Sequence, residues 1–175
     1  MKKTLALSFV SIALAACVSV TKETTMAQGA ATPSEARIAF DVTSGNPKAV
    51  LKTLEIIDVT RKQLIEKGMT PKMVVAFRGE ASYYTNTNLS MVKEADRAEA
   101  LQIRGAIRNL QKASGVEGLV QCNLPLADRK LKATDVMEEV KVVPNGWISL
   151  AEYQQKGYAY IAPGGGSRLE VRPRA

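Results

Sequence analysis

The sequence predicts an α/β protein in which short apolar strands alternate with helices along the chain. Apolar residues recur at helical spacing in two long segments, and runs of strand length stand before and after them. Glycine, proline and asparagine mark the junctions between these segments. With 175 residues, of which 46% are hydrophobic and 23% charged, the chain has the composition of one globular domain of ordinary size.

An export signal is predicted at the beginning of the sequence. Lys2 and Lys3 form a short positive region, and residues 4–16 form an apolar region of signal-peptide length. The apolar region is too short to span a bilayer as a permanent helix. We therefore expect residues 1–16 to be a signal peptide and the protein to leave the cytoplasm.

The sequence offers two alternative cleavage sites for this signal. The sequence Leu-Ala-Ala-Cys that ends at Cys17 resembles a bacterial lipobox, which implies cleavage before Cys17 and lipidation of that residue. By the same analogy, Val18 in place of aspartate favours the outer membrane. A weaker small-residue pattern ending at Ala27 would instead release a soluble periplasmic protein. We expect the lipoprotein, with residues 17–36 as a lipidated N-terminus and flexible tether.

The first strand and the first long helix are predicted from residue 37 to Gly68. Residues 37–43 alternate like a strand, Asn46 suits a helix N-cap, and Pro47 suits the first helical position. The N–H groups at this helix N-terminus, with Asn46, are a candidate anion site. The alternative is a plain capped turn, since the glycine pattern of a phosphate loop is missing.

A second strand, residues 72–77, ends beside Arg78. Because the carboxyl ends of parallel strands meet at one edge of a sheet, Arg78 would face the same crevice as Cys122. A cation near a thiol lowers the pKa of the thiol. The alternative is a surface arginine paired with Glu80.

The second long helix, predicted over residues 93–114, carries a stripe of basic side chains. This stripe consists of Arg97, Arg104, Arg108 and Lys112. Such a stripe is typical of a solvated helix face, and a docking surface is the alternative.

Cys122 ends the next predicted strand, which begins at Val116, and is followed by the polar Asn123. Of the two cysteines in the sequence, Cys122 is the one left outside the export signal and has no partner within its own chain. A thiol at a strand end serves as a nucleophile or group carrier when its pKa is lowered and it is accessible. The alternative is a small buried apolar residue. The candidate crevice therefore contains Cys122 as catalytic residue, with Arg78 and Asn123 as ligand-binding residues.

The remaining segments complete the alternation of strands and helices. We expect a short helix and loop in residues 124–135, strands at 141–144 and 158–163, and a helix at 147–156. The glycine-rich basic tail, residues 164–175, is predicted to be disordered.

Composition excludes several function classes. There is no histidine, which argues against a histidine triad and, with one usable cysteine, against a metal site. No hydrolase, metalloenzyme or dithiol redox signature is present, and no cofactor is expected. Removal of Lys2 and Lys3 with the signal lowers the net charge from +7 to +5. This balance suits a membrane surface or small anions, and it does not indicate nucleic acid because the basic residues are not interleaved with aromatics.

Several short sequences resemble the exported branch of the DsrE/DsrF-like family. The most specific of them is the C-terminal set: Val142-Val143-Pro144-Asn145-Gly146, Glu152, Gln154, Gly157-Tyr158-Ala159-Tyr160-Ile161 and Pro163. Residues 40–47 and 115–122 resemble the family too, so the resemblance covers residues 37–163.

The resemblance implies a three-layer, flavodoxin-like α/β sandwich with a mostly parallel five-stranded sheet, assembled into homo-oligomers such as trimers. In sulfur-relay members of the family, a cysteine at the end of the strand after a Gly-Val turn carries sulfur as a persulfide, and Cys122 matches that position. This implies a sulfur- or thiol-handling protein with a sulfur donor or acceptor as partner. The alternative is a non-catalytic envelope lipoprotein that binds a small anion or a protein partner at the same crevice.

Overall fold

The structure, a computed structural model, describes residues 34–163. The predicted signal peptide, Cys17, most of the predicted tether and the tail of residues 164–175 lie outside this range. The elements in chain order are β1 (Glu35–Val42), α1 (Pro47–Glu66), β2 (Thr70–Phe77), α2 (Arg97–Gln111), β3 (Val116–Cys122), α3 (Asn123–Asp128), β4 (Lys141–Val143), α4 (Gly146–Gln155) and β5 (Ala159–Ile161). Short 3-10 turns span Gly79–Thr85, Glu94–Asp96 and Ala133–Asp135.

The strands form one five-stranded sheet in the order β4-β3-β2-β1-β5, and every neighbouring pair is parallel. β1 and β2 pair over their whole length, from Glu35 opposite Thr70 to Val42 opposite Phe77. The predicted α/β class with a mostly parallel five-stranded sheet is therefore confirmed. Because all strands run the same way, their carboxyl ends share one edge of the sheet.

β3 ends at Cys122, where the sequence predicts the strand end, and Asn123 already begins α3. Pro125 lies in the first turn of α3, where its missing N–H needs no helical partner. The helix predicted from residue 93 begins as a separate 3-10 turn, and α2 proper starts at Arg97.

The beginning of α1 follows the predicted capping pattern. Asn46 Oδ1 accepts a hydrogen bond from the backbone N–H of Ala49 at 3.1 Å, and Pro47 is the first helical residue. Val50 and Leu54, one turn apart on α1, are fully buried against the sheet. The helical period of apolar residues thus fixes which side of α1 faces the core.

The two faces of the sheet have cores of very different size. α1 and α2 cover one face and form the main core with side chains of β1, β2 and β3, among them Phe40, Val75 and Phe77. α4 covers the other face, where the buried cluster is small and consists of Ala39, Val74, Ala76, Val120, Leu150 and Tyr158. The third layer of the sandwich therefore depends on one ten-residue helix.

Within residues 34–163, none of the helices has the length and apolar character needed to cross a membrane.

Tyr84 makes the stability of the folded state depend on pH in the alkaline range. Its side chain is buried and its hydroxyl donates to the carbonyl oxygen of Gly45. Burial, with smaller effects from the charges of Asp96 and Glu80, raises the pKa of Tyr84 from 10.0 to about 12. Because the folded-state pKa lies above the unfolded value, the neutral phenol stabilises the folded state fully below pH 10. This contribution is lost as the pH rises toward 12.

We expect Tyr84→Phe to reduce this alkaline loss of stability. Between about pH 8 and 11, the wild type should lose about 1.4 kcal/mol more than the variant, which is the free energy of one pKa unit. Denaturant titrations at both pH values measure the difference, and the variant serves as its own reference at the lower pH. Equal losses in the two proteins would contradict the assignment to Tyr84.

Candidate functional site

Cys122 lies at the carboxyl edge of the sheet, against the N-terminus of α4. It is the last residue of β3 and only 3% exposed. Its Sγ accepts a hydrogen bond from the backbone N–H of Gly146, the first residue of α4, at 3.1 Å. Asn145 caps this helix by accepting the N–H of Trp147 at 2.9 Å. The thiol therefore lies against the N-terminus of α4, whose first backbone N–H donates to it.

Arg78 follows β2 and forms a buried ion pair with Asp41 of β1. The Arg78 Nε donates to Asp41 Oδ1 at 2.8 Å, and Nη2 donates to Oδ2. Arg78 is 8% exposed and Asp41 is 2% exposed. Burial opposes the charge on Arg78, but the hydrogen bonds and the charge of Asp41 outweigh it and raise the pKa of Arg78 above its ordinary value.

Tyr160 of β5 extends this pair toward the edge of the sheet. Its hydroxyl donates to Asp41 Oδ2 at 2.7 Å. This hydrogen bond, followed by burial, raises the pKa of Tyr160 above its ordinary value. The Asp41 carboxylate thus has partners from both neighbouring strands, and its negative charge is offset by Arg78.

Trp147 forms the outer wall of the site. The Arg78 guanidinium carbon lies 3.7 Å from the centre of the Trp147 ring, a cation–π contact. Trp147 is 63% exposed, whereas Arg78 beneath it is buried. The Trp147 ring therefore separates the buried ion pair from solvent. Because this ring is largely exposed, it has room to move.

Gly146 brings Arg78 and Cys122 together. A Cβ at position 146 would lie 2.6 Å from Arg78 Cδ and 2.9 Å from Cys122 Cβ, so both side chains pack directly against this glycine. Arg78 and Cys122 thus line the same crevice. Arg78 is not the exposed partner of Glu80 that the alternative interpretation described, because it is buried and paired with Asp41.

The two asparagines predicted to bind a ligand, Asn46 and Asn123, lie at different positions around the sheet edge. Asn123 is half-buried, directly follows Cys122 and begins α3. Asn46 is exposed and caps α1, which covers the opposite face of the sheet from α4. The structure therefore groups Arg78 and Cys122 with Asn123 adjacent in the chain, and it does not group Asn46 with them.

Gln121 holds the main chain of Cys122 from the opposite face. Its side chain is fully buried, and Nε2 donates to the Cys122 carbonyl oxygen at 2.7 Å. Its Oε1 accepts from the hydroxyl of Thr85 at 2.8 Å. These bonds satisfy a buried amide and fix the peptide at the point where β3 becomes α3.

Sequence reasoning missed four residues of this site: Asp41, Gly146, Trp147 and Tyr160. A signal for Asp41 was present, because a carboxylate between Phe40 and Val42 is unusual in an apolar strand that is buried. Gly146 and Tyr160 belong to the C-terminal motifs that resemble the family. No comparable local signal indicated that Trp147 stacks on Arg78.

The site contains a thiol, a guanidinium, a carboxylate and a phenol. In residues 34–163, no group of three or more cysteine, aspartate or glutamate side chains has the arrangement of a metal site. The chemistry available from these residues is nucleophilic attack by sulfur and recognition of negative charge.

The protein is thus a three-layer α/β sandwich with a parallel sheet and a cysteine at the carboxyl end of β3. The model of the DsrE/DsrF-like family matches residues 2–163, and the chain belongs to that family.

Similar proteins include one relative in sequence and one solved structure. A protein of Aquifex aeolicus (strain VF5), described as uncharacterized, is 27% identical over 128 residues, which are 73% of this chain and 56% of that protein. The chain thus spans little more than half the length of this relative. The solved structure of a protein of unknown function from Methanobacterium thermoautotrophicum matches with a TM-score of 0.56 and 19% identity, over 73% of this chain and 99% of the other. This second likeness is one of fold.

Proposed function

We propose that the protein carries sulfane sulfur on Cys122 as a persulfide, between a donor and an acceptor outside the cytoplasm. The observation that carries this proposal is the hydrogen bond from Gly146 N–H to Cys122 Sγ at the N-terminus of α4, with the Arg78 side chain packed against the same glycine. A helix N-terminus and a neighbouring cation are the surroundings in which cysteines react as thiolates. Membership of a family often linked to sulfur relay supports the same function.

The transfer needs no oxidant or reductant. The Cys122 thiolate attacks the outer sulfur of a persulfide or polysulfide donor, a new S–S bond forms on Cys122, and the S–S bond of the donor breaks. The inner sulfur of the donor leaves as a thiolate, so one negative charge is lost from Cys122 and one appears on the donor. Attack by an acceptor thiolate on the terminal sulfur of Cys122 reverses the step and regenerates the Cys122 thiolate.

A sulfur carrier must also let its donor reach the Cys122 thiol. Cys122 is 3% exposed, so a donor reaches it only when the covering side chains move. Trp147, 63% exposed and stacked on Arg78, is the side chain that we expect to move when the crevice opens. Trp147 is also the one tryptophan in the sequence, so its fluorescence reports on this site.

We expect Cys122→Ser to abolish sulfur loading. The protein, produced without residues 1–27, is treated with polysulfide, and its intact mass is measured before and after reduction. A reducible increase of one sulfur atom, absent in Cys122→Ser and in untreated protein, supports the carrier function. Loading should also change the emission of Trp147.

A non-catalytic binding function is the second candidate, and the deep burial of Cys122 favours it. In that case the crevice beside Arg78 binds a small anion or a protein partner, and the thiol packs as an apolar group. Absence of the sulfur adduct, with a thiol that resists alkylation until the protein unfolds, would reject the carrier function. Binding retained in Cys122→Ser would then support the second candidate.

The same proposal includes export of the protein and lipid attachment at Cys17, with the outer membrane as the favoured location. It also includes the homo-oligomer that the family resemblance implies. Their support is the sequence pattern of residues 1–17. In a bacterial host that expresses the full chain, palmitate should label the wild type but not Cys17→Ser. Unlabelled wild-type protein in the periplasm would contradict lipidation and support cleavage at the site ending at Ala27. Unlabelled protein in the cytoplasm would contradict export.

A further inference from the structure

A second crevice lies away from Cys122, between α2 and the segment that precedes β4. It has a volume of about 400 Å³ and is lined by Arg104 and Arg108 on one side and by Thr134, Glu138 and Glu139 on the other. It shares no lining residue with the site around Cys122. Its two arginines belong to the basic stripe that the sequence suggested to be a solvated helix face.

The two arginines of this crevice have different surroundings. Arg108 is exposed and its Nε donates to Glu139 Oε1 at 3.1 Å, an ordinary surface ion pair. Arg104 is half-buried, and its Nε is a buried donor that has no hydrogen-bond partner within the described residues. In residues 34–163, no carboxylate lies within 4.0 Å of the Arg104 guanidinium.

A buried donor without a partner is rare in folded proteins, and an unseen water or ion is a usual explanation. The neighbouring carboxylates do not supply the missing acceptor, because Glu139 is engaged by Arg108 and Glu138 is exposed. A planar guanidinium presents parallel N–H donors whose spacing matches the oxygens of an oxyanion. The crevice therefore provides a guanidinium and enough volume, and residues 34–163 supply no acceptor to Arg104 Nε.

We propose that this crevice binds a small oxyanion through Arg104. The volume of the crevice suits a compact group such as sulfate, phosphate or a carboxylate. This site does not depend on the proposed function of Cys122. The basic residues of α2 are accordingly divided between solvated positions and one binding position.

The test is an NMR titration of the full chain that follows the arginine Nε–Hε signals. Sodium sulfate, sodium phosphate and sodium acetate are added separately, with sodium chloride at matched ionic strength as reference. We expect the Arg104 signal, identified by its absence in Arg104→Gln, to shift saturably with at least one oxyanion. The arm that saturates at the lowest concentration distinguishes a tetrahedral oxyanion from a carboxylate.

Arg104→Gln should weaken oxyanion binding at least tenfold, and Arg104→Lys should weaken it less because it keeps the charge without the fork. Lys112→Gln, which removes the same charge at the C-cap of α2 outside the crevice, should change binding less than twofold. Shifts that are linear, or equal to those with chloride, would overturn the proposal. Equal weakening by Lys112→Gln would overturn it too, since binding would then follow net charge. Arg104→Lys keeps the test decisive if Arg104→Gln fails to fold.

Discussion

Asp41→Ala is expected to lower the free energy of unfolding by about 3–5 kcal/mol, the usual cost of leaving one partner of a buried ion pair without the other. Asp41 is 2% exposed and accepts hydrogen bonds from Arg78 and Tyr160. The substitution would leave the Arg78 guanidinium buried, charged and without its carboxylate. Because small domains are stable by only about 5–15 kcal/mol, urea titrations should show a large decrease in the midpoint.

Two further variants test whether the unpaired charge of Arg78 causes the loss of stability in Asp41→Ala. Asp58→Ala removes a carboxylate from the partly exposed pairs with Arg61 and Lys62 on α1, and it should cost about 1 kcal/mol or less. The double variant Asp41→Leu with Arg78→Met removes both charges at similar volume, and it should recover much of the lost stability. If the double variant is as unstable as Asp41→Ala, the unpaired charge is not the cause.

Gly146→Ala should destabilise the protein by about 1–3 kcal/mol, the usual cost of inserting a methyl group into a packed interior. The added Cβ would meet Cys122 Cβ, whose position is fixed by β3, and Arg78 Cδ, which is held by Asp41 and Trp147. The first turn of α4 must therefore move away from the sheet. The hydrogen bond to Cys122 Sγ should weaken, and alkylation of the native thiol should become faster.

Gly105→Ala is the matched control for this substitution. Gly105 lies inside α2, and an added Cβ there has no neighbour within 4 Å. The variant should therefore gain about 0.5–1 kcal/mol from the higher helix propensity of alanine. Denaturant titrations and alkylation rates compare both variants with the wild type. Equal stability in the two variants would show that close packing around Gly146 does not constrain α4.

The order of strands and helices was predictable because its signals are local. Periodic apolar residues, with Asn46 and Pro47 at one helix start, define elements without knowledge of the fold. The proximity of Arg78 and Cys122 was predictable too, since both follow parallel strands whose carboxyl ends share an edge. In the structure the two side chains pack against Gly146.

The partners of these residues were not predictable from local pattern. The pairing of Asp41 with Arg78 and Tyr160 depends on the order β2-β1-β5, which brings residues 41 and 160 together across 119 positions in sequence. The contact of Trp147 with Arg78 depends on which face of the sheet α4 covers. The burial of Cys122 also depends on which face α4 covers, so the accessibility of the thiol could not be derived from β3 alone.

The small core beneath α4 has a consequence for the kinetics of the thiol. α4 is a short helix whose Leu150 completes a buried cluster of six residues, whereas the opposite face of the sheet has two longer helices. Elements with little buried apolar surface open before the rest of a protein does, through local unfolding. The labelling rate of Cys122 in the native protein would then measure the opening equilibrium of α4. If the thiol carries sulfur, substitutions that anchor α4 more firmly would slow loading while leaving the reacting groups unchanged.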